Sequence, residues 1–155
     1  MPVLRGTPGQ LLRLTFGFFF EAVCGVEWTR SLGVVSSREL ANITVLVAED
    51  EPLVAVGVVN QLTEAGATVV GPCSTTGRAI AALDENDIDV AIIDFVLADD
   101  NTEGLQAALD DKGVPFIVVT GYPRVLVRRD RHQPVLSKPV SAETLASTVR
   151  SLAGA

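Results

Sequence analysis

Cysteine is nearly absent, with 2 in 155 residues. Cys24 and Cys73 stand 49 positions apart, form no CxxC pair and match no metal-binding spacing. They read as reduced thiols of a cytoplasmic protein. Basic residues are also scarce: 12 Lys and Arg face 19 Asp and Glu, a formal net charge of −7. Nucleic-acid backbones are bound by cationic patches, so this balance argues against a nucleic-acid partner. No GxxxxGK[ST] follows the first strand-like run, where "EDEPLVAV" stands instead, so a P-loop hydrolase is excluded. The single histidine, His132, reads as a polar loop residue rather than a catalyst. Long apolar runs are missing too. The segment "LLRLTFGFFFEAVCGVEW" holds four of the six Phe and the only Trp, but Arg13, Glu21 and Glu27 interrupt it. A membrane span needs roughly 20 apolar residues, and a signal peptide a cleaner apolar centre. The segment therefore reads as an extra docking helix or a weakly packed extension, with no membrane role expected.

What is present divides in two. Residues 1–42 carry four Arg and three Glu, a net of +1. Residues 43–155 carry eight basic and sixteen acidic side chains, a net of −8. From Ile43 the pattern is regular. "ITVLVA" is a short β-branched run without alternation, as in a strand buried on both faces. "EPLVAVGVVNQLTEAG" follows as a helix, with Pro52 in its first turn and Gly66 at its end. "TVVGPCS" is a second strand and "TTGRAIAALDEN" a helix opening at a Thr cap. "DVAIID" is a third strand, and "EGLQAALDDKG" a helix stopped by Gly113. "PFIVVTG" is a fourth strand, "PVLSKP" holds a short fifth, and "SAETLASTVRSLAG" is a closing helix capped by Ser141. Strands alternating with helices imply βαβ units around a parallel sheet, with helices on both faces.

In such sheets ligands bind at the carboxyl ends of the strands, where the strand order reverses. Glu49 and Asp50 end the first strand and Asp94 ends the third. With strand order 2-1-3-4-5 the three carboxylates converge and repel, each raising the others' pKa. A hard divalent cation such as Mg²⁺ removes that repulsion. The alternative is that Glu49, Asp50 and Glu51 cap a helix N-terminus, which leaves Asp94 unexplained. Thr120 ends the fourth strand and Lys138 ends the fifth. A hydroxyl and an ammonium aimed at a carboxylate–metal cluster suit the oxygens of a phosphoryl group.

Glu49-Asp50, Asp94, Thr120-Gly121 and Lys138-Pro139 resemble the signature of response-regulator receiver domains, from Ile43 to about Leu152. The resemblance implies a flavodoxin-like (βα)₅ fold and makes residues 43–155 the receiver, with 1–42 as an atypical extension. It implies Asp94 as phosphoacceptor and Asp50 as direct Mg²⁺ ligand. Glu49 would be the water-mediated companion, and the Val96 backbone carbonyl a further ligand. Thr120 and Lys138 would sense and bind the phosphoryl group, and the Lys138–Pro139 peptide would be cis. The implied partner is a histidine kinase or histidine phosphotransfer protein. Mg²⁺ and Lys138 would neutralise charge as the Asp94 carboxylate attacks, and Thr120 would then turn toward the phosphate. The chain would not be an enzyme beyond self-phosphorylation and autodephosphorylation.

"PFIVVTGY" is similar to the PFxFATGY hallmark of the FATGUY single-domain receivers at Pro115, Phe116, Thr120, Gly121 and Tyr122. It departs from that hallmark at Val118 and Val119. The aromatic switch three residues before the lysine is replaced by Val135, a role Tyr122 could take over. Only 17 residues separate Thr120 from Lys138, tight for a full fourth helix. They hold Arg124, Arg128, Arg129 and Arg131, which mark Tyr122–His132 as a surface for a downstream regulatory protein. One helix follows Lys138, so output is expected through protein contact. A phosphate sink without output has the same site. A haloacid dehalogenase-type phosphatase would want a second Asp where Val96 stands.

Overall fold

The computed structural model describes residues 39–99, 102–121 and 133–154. The fourth helix position, Tyr122 and the arginine segment through His132 lie outside the described residues, as do residues 1–38. Five strands form one parallel sheet of order β2-β1-β3-β4-β5. They are β1 (Thr44–Ala48), β2 (Thr68–Cys73), β3 (Val90–Asp94), β4 (Phe116–Thr120) and β5 (Val135–Ser137). Among the described residues the helices are α1 (Pro52–Glu64), α2 (Thr76–Glu85), α3 (Thr102–Lys112) and α4 (Ala142–Leu152). The expected flavodoxin-like architecture is present, and α3 starts one residue before its expected first residue, Glu103.

The unalternating strands follow from two separate cores, one on each face of the sheet. Val45 and Val47 of β1, Val90 and Ile92 of β3, and Ile117 and Val119 of β4 point to one face. There they meet Leu62 of α1 and Leu145, Ala146 and Val149 of α4. The intervening residues Leu46, Ala48, Ala91, Ile93, Phe116 and Val118 point to the other face. They meet Ala79 and Leu83 of α2 and Leu105 and Leu109 of α3. A strand of period two with both faces covered must be apolar at every position. Leu40 also enters the first core fully buried, and its N–H donates to the Ala65 carbonyl at 2.9 Å. The packed unit thus takes in Leu40, ahead of Ile43.

Local caps follow the residues. The Thr75 hydroxyl accepts from the Arg78 N–H at 3.3 Å to open α2, and the Ser141 hydroxyl accepts from Thr144 at 3.2 Å to open α4. Such caps satisfy amides that a helix start leaves orphaned. Gly66 and Gly113 sit just past α1 and α3 at φ +95° and +69°, as helix stops do.

Candidate functional site

The carboxyl ends of β1, β3, β4 and β5 supply the site. β1 and β3 are neighbours, with Ala48 opposite Ile93, so the residues that follow them share one edge. One carboxylate oxygen from each of Glu49, Asp50 and Asp94 lies within 4.8 Å of the other two. From β5, the Lys138 ammonium donates to Glu49 Oε2 at 2.7 Å and to Asp94 Oδ2 at 2.6 Å. Its backbone N–H donates to the Thr120 carbonyl at 2.8 Å, tying the end of β5 to the end of β4. Thr120 is fully buried. The Lys138–Pro139 peptide is cis. Val96 is half-buried two residues past Asp94, and its N–H donates to Asp94 Oδ1 at 3.2 Å.

Helix capping does not account for the acids. Glu51 is the N-cap residue of α1, yet its side chain makes no cap hydrogen bond. Glu49 turns back instead, and its Oε1 accepts the Glu51 N–H at 3.1 Å. Glu49 is only 5% exposed. Burial raises its pKa above the usual carboxylate value and the Asp94 charge adds to that, while bonds from Lys138 and Glu51 pull it back. Burial alone would lower the Lys138 pKa, but its hydrogen bonds to Asp94 and Glu49, and their charges, leave it raised. Cys73, at the end of β2, is buried with a raised thiol pKa, chiefly through desolvation.

One lysine among three carboxylates leaves a formal charge deficit of about two at a half-buried strand edge, where like charges interact strongly. The donors are all hard oxygens. An Mg²⁺ ion with ligands at about 2.0–2.1 Å needs oxygens no more than roughly 4 Å apart, and the three oxygens here lie within 4.8 Å of one another before any ion draws them in. The residues therefore fit such an ion. Sequence reasoning placed every one of these side chains at the site. It missed that Lys138 bridges Glu49 and Asp94 directly, and it missed Asp99. The Asp99 carboxylate accepts the N–H of Thr76, in α2, at 3.2 and 3.0 Å.

An acidic cluster and a lysine at the carboxyl edge of a 2-1-3-4-5 sheet define a receiver. Residues 45–150 match the response regulator receiver domain family. The chain belongs to that family, whose members receive signals in two-component systems. Receiver domains typically bind Mg²⁺ at an acidic site of this kind. The chain is 27% identical over 132 residues to the phyllosphere-induced regulator PhyR of Methylorubrum extorquens, covering 80% of this chain and 49% of that protein. It thus spans about half the length of that curated relative. The crystal structure of the response regulator PhyR from Brucella abortus aligns with TM-score 0.65 at 25% identity, covering 90% of this chain and 56% of that one. The BeF3-activated conformation of SdrG from Pseudomonas melonis Fr1 aligns with TM-score 0.63 at 33% identity, covering 73% of this chain and 98% of that one. Among the described residues no helix is long and apolar enough to cross a membrane.

Proposed function

We propose that this response regulator accepts a phosphoryl group on Asp94 from the phosphohistidine of a histidine kinase or phosphotransfer protein. The carrying observation is the Lys138 ammonium at 2.6 Å from Asp94 Oδ2 and 2.7 Å from Glu49 Oε2. A carboxylate oxygen of Asp94 attacks phosphorus as the P–N bond breaks, and the bond's electron pair leaves with the imidazole nitrogen. Lys138 offers its remaining donor to the phosphoryl oxygens, holding charge that would otherwise accumulate beside Glu49. Val96 N–H, on Asp94 Oδ1, orients the carboxylate. Asp50 and Asp94, with Glu49 behind them and the Val96 carbonyl as a further ligand, would hold Mg²⁺. Bound there, the ion supplies Lewis-acid neutralisation of the transferred phosphoryl oxygens. Thr120 then senses the new group, and the end of β4 carries the change outward, a two-state equilibrium biased by local charge. The BeF3-activated state of SdrG supports this reading. Turnover is confined to the protein's own aspartyl phosphate, so the chain is a signalling protein of the cytoplasm rather than an enzyme.

Incubation with acetyl phosphate and Mg²⁺ should add one phosphoryl group by intact mass, and Asp94→Asn should add none. An adduct of equal stoichiometry on the variant would move the nucleophile elsewhere.

The same assay with a phosphorylated protein donor reads the arginine segment, proposed on its sequence as the surface for the donor or a downstream regulator. Replacing Arg128, Arg129 and Arg131 by Ala should slow transfer from the protein donor several-fold at low salt, since charge steering acts on association rate. Labelling by acetyl phosphate should be unchanged. Equal slowing with both donors would make the segment part of the site's scaffold.

A further inference from the structure

The loop after Asp94 carries a residue whose reach the activity itself does not explain. Asp99 is exposed, in a loop, and 23 positions from the amide it accepts. That amide belongs to Thr76, the first residue of α2, and Thr76 is buried. The N-terminus of α2 has a cap of its own, the Thr75 hydroxyl on the Arg78 N–H. A carboxylate from another loop therefore adds a second anchor, favoured by the positive end of the helix.

The remainder of the loop shows what this anchor holds. The Phe95 N–H donates to the Val119 carbonyl at 2.9 Å, and the Thr102 hydroxyl donates to the Phe95 carbonyl at 3.3 Å. Leu97 is buried in the core beneath. Val96 lies between these holds. Beyond Leu97, among the described residues of the loop, Asp99 hydrogen-bonds to α2, and it does so with both carboxylate oxygens.

We propose that Asp99 is a positioning residue: by mooring the loop after Asp94 to the N-terminus of α2, it holds Val96 in register with Asp94 and the acid cluster. The proposal rests on the reading of that cluster as a Mg²⁺ site. Asp99 touches neither metal nor phosphoryl group. It acts through the loop, as outer-shell partners orient the groups that do the binding.

The test is a calorimetric titration of the full chain with MgCl₂ at fixed ionic strength, with a thermal melt of each variant. Asp99→Ala should weaken Mg²⁺ binding by about tenfold, the lower end of what losing an outer-shell partner costs. Asp99→Asn keeps an oxygen acceptor and should restore near wild-type affinity. Thr75→Ala removes the other cap of the same helix end; it should lower the melting temperature and leave Mg²⁺ affinity unchanged. Thr76→Pro removes the same hydrogen bond from its donor side. Proline is accepted at a first helical position, and Thr75 at φ −138° and ψ 153° suits a residue before proline. This variant should reproduce the Asp99→Ala weakening, and it serves as the second reading if Asp99→Ala does not fold. Wild-type affinity in Asp99→Ala, or equal weakening in Thr75→Ala, would overturn the proposal. So would an Asn variant as weak as the Ala variant, because charge rather than mooring would then be the cause. A wild-type protein that binds no Mg²⁺ would remove the metal site and this role together, whereas wild-type binding indifferent to Asp99 removes this role alone.

Discussion

Lys138→Ala should destabilise the metal-free protein by about 3 kcal/mol at neutral pH, the scale for removing one partner of a buried ion pair. The Lys138 side chain is 19% exposed, and those of its partners Glu49 and Asp94 are 5% and 12% exposed. Removing it leaves Glu49 with desolvation and the Asp94 charge both opposing ionisation, and only the Glu51 N–H in favour. The control is Lys112→Ala. That lysine pairs with Asp84 at 2.9 Å, but the two side chains are 43% and 61% exposed. An exposed pair contributes about 0–1 kcal/mol. Equal losses in urea denaturation of the two variants would mean that the Lys138 cluster is solvated and its geometry energetically idle.

The pH dependence has a definite sign. The folded-state pKa of Glu49 is raised, so between its ordinary value of 4.5 and that raised value the folded state binds more protons than the unfolded. Stability then falls as pH rises through that window. Without Lys138 the window extends upward, so the loss in Lys138→Ala should shrink as pH is lowered toward 5, near the ordinary carboxyl range. The raised pKa of Lys138 gives the same downward slope in a separate, more alkaline window. Its contribution is fully present below 10.5, its ordinary value, and is lost only as pH climbs through the higher folded value. Added Mg²⁺ should stabilise the variant more than the wild type. In the variant no resident cation already offsets the carboxylates, and ligand binding to the folded state adds directly to stability.

The order of strands and the acids at their ends were legible because they depend on short-range pattern. "ITVLVA" and "DVAIID" are apolar throughout since both sheet faces are covered, and the chain can place an acid only where such a strand emerges. Capping was legible for Thr75 and Ser141, whose hydroxyls act within three residues. For Glu51 the capping alternative does not hold: its side chain makes no cap, and its own N–H is taken by Glu49, which Lys138 draws in. The ion pairs of Lys138 span 89 and 44 residues of sequence, and no local periodicity encodes such distances. Asp99 gave no signal at all, since an acid in a polar loop is compositionally ordinary. Gly71-Pro72 inside a strand was visible, but its purpose became readable only once the partner strand was in place.

That purpose carries the last prediction. Gly71→Ala should cost about 3 kcal/mol, combining roughly 1–2 kcal/mol for an L-residue in left-handed backbone with 1–3 kcal/mol for overpacking. Gly71 has φ +111°, and a Cβ there would sit 2.5 Å from the Val47 carbonyl oxygen. Neither side can retreat easily. Val47 is fully buried in the centre of the sheet and pairs with Ile92 of β3. The pairing of β1 with β2 shifts here, from Leu46 opposite Val70 to Ala48 opposite Cys73, which sets Gly71 and Pro72 against Val47 alone. Such a bulge bends its strand. It also brings the Cys73 carbonyl to the Glu49 N–H at 2.9 Å, fixing the direction in which β1 leaves the sheet with its acids. The folded fraction of Gly71→Ala should therefore bind Mg²⁺ more weakly than wild type. Gly57→Ala is the contrasting substitution: Gly57 lies in α1 with nothing within 4 Å of a new Cβ. There alanine should stabilise by about 0.5–1 kcal/mol through helix propensity. Denaturant midpoints of the two variants moving in opposite directions is the expected result. A Gly71→Ala protein within 1 kcal/mol of wild type would show that β2 can yield at the bulge without disturbing β1, and that the exit of the acid pair is held by other contacts.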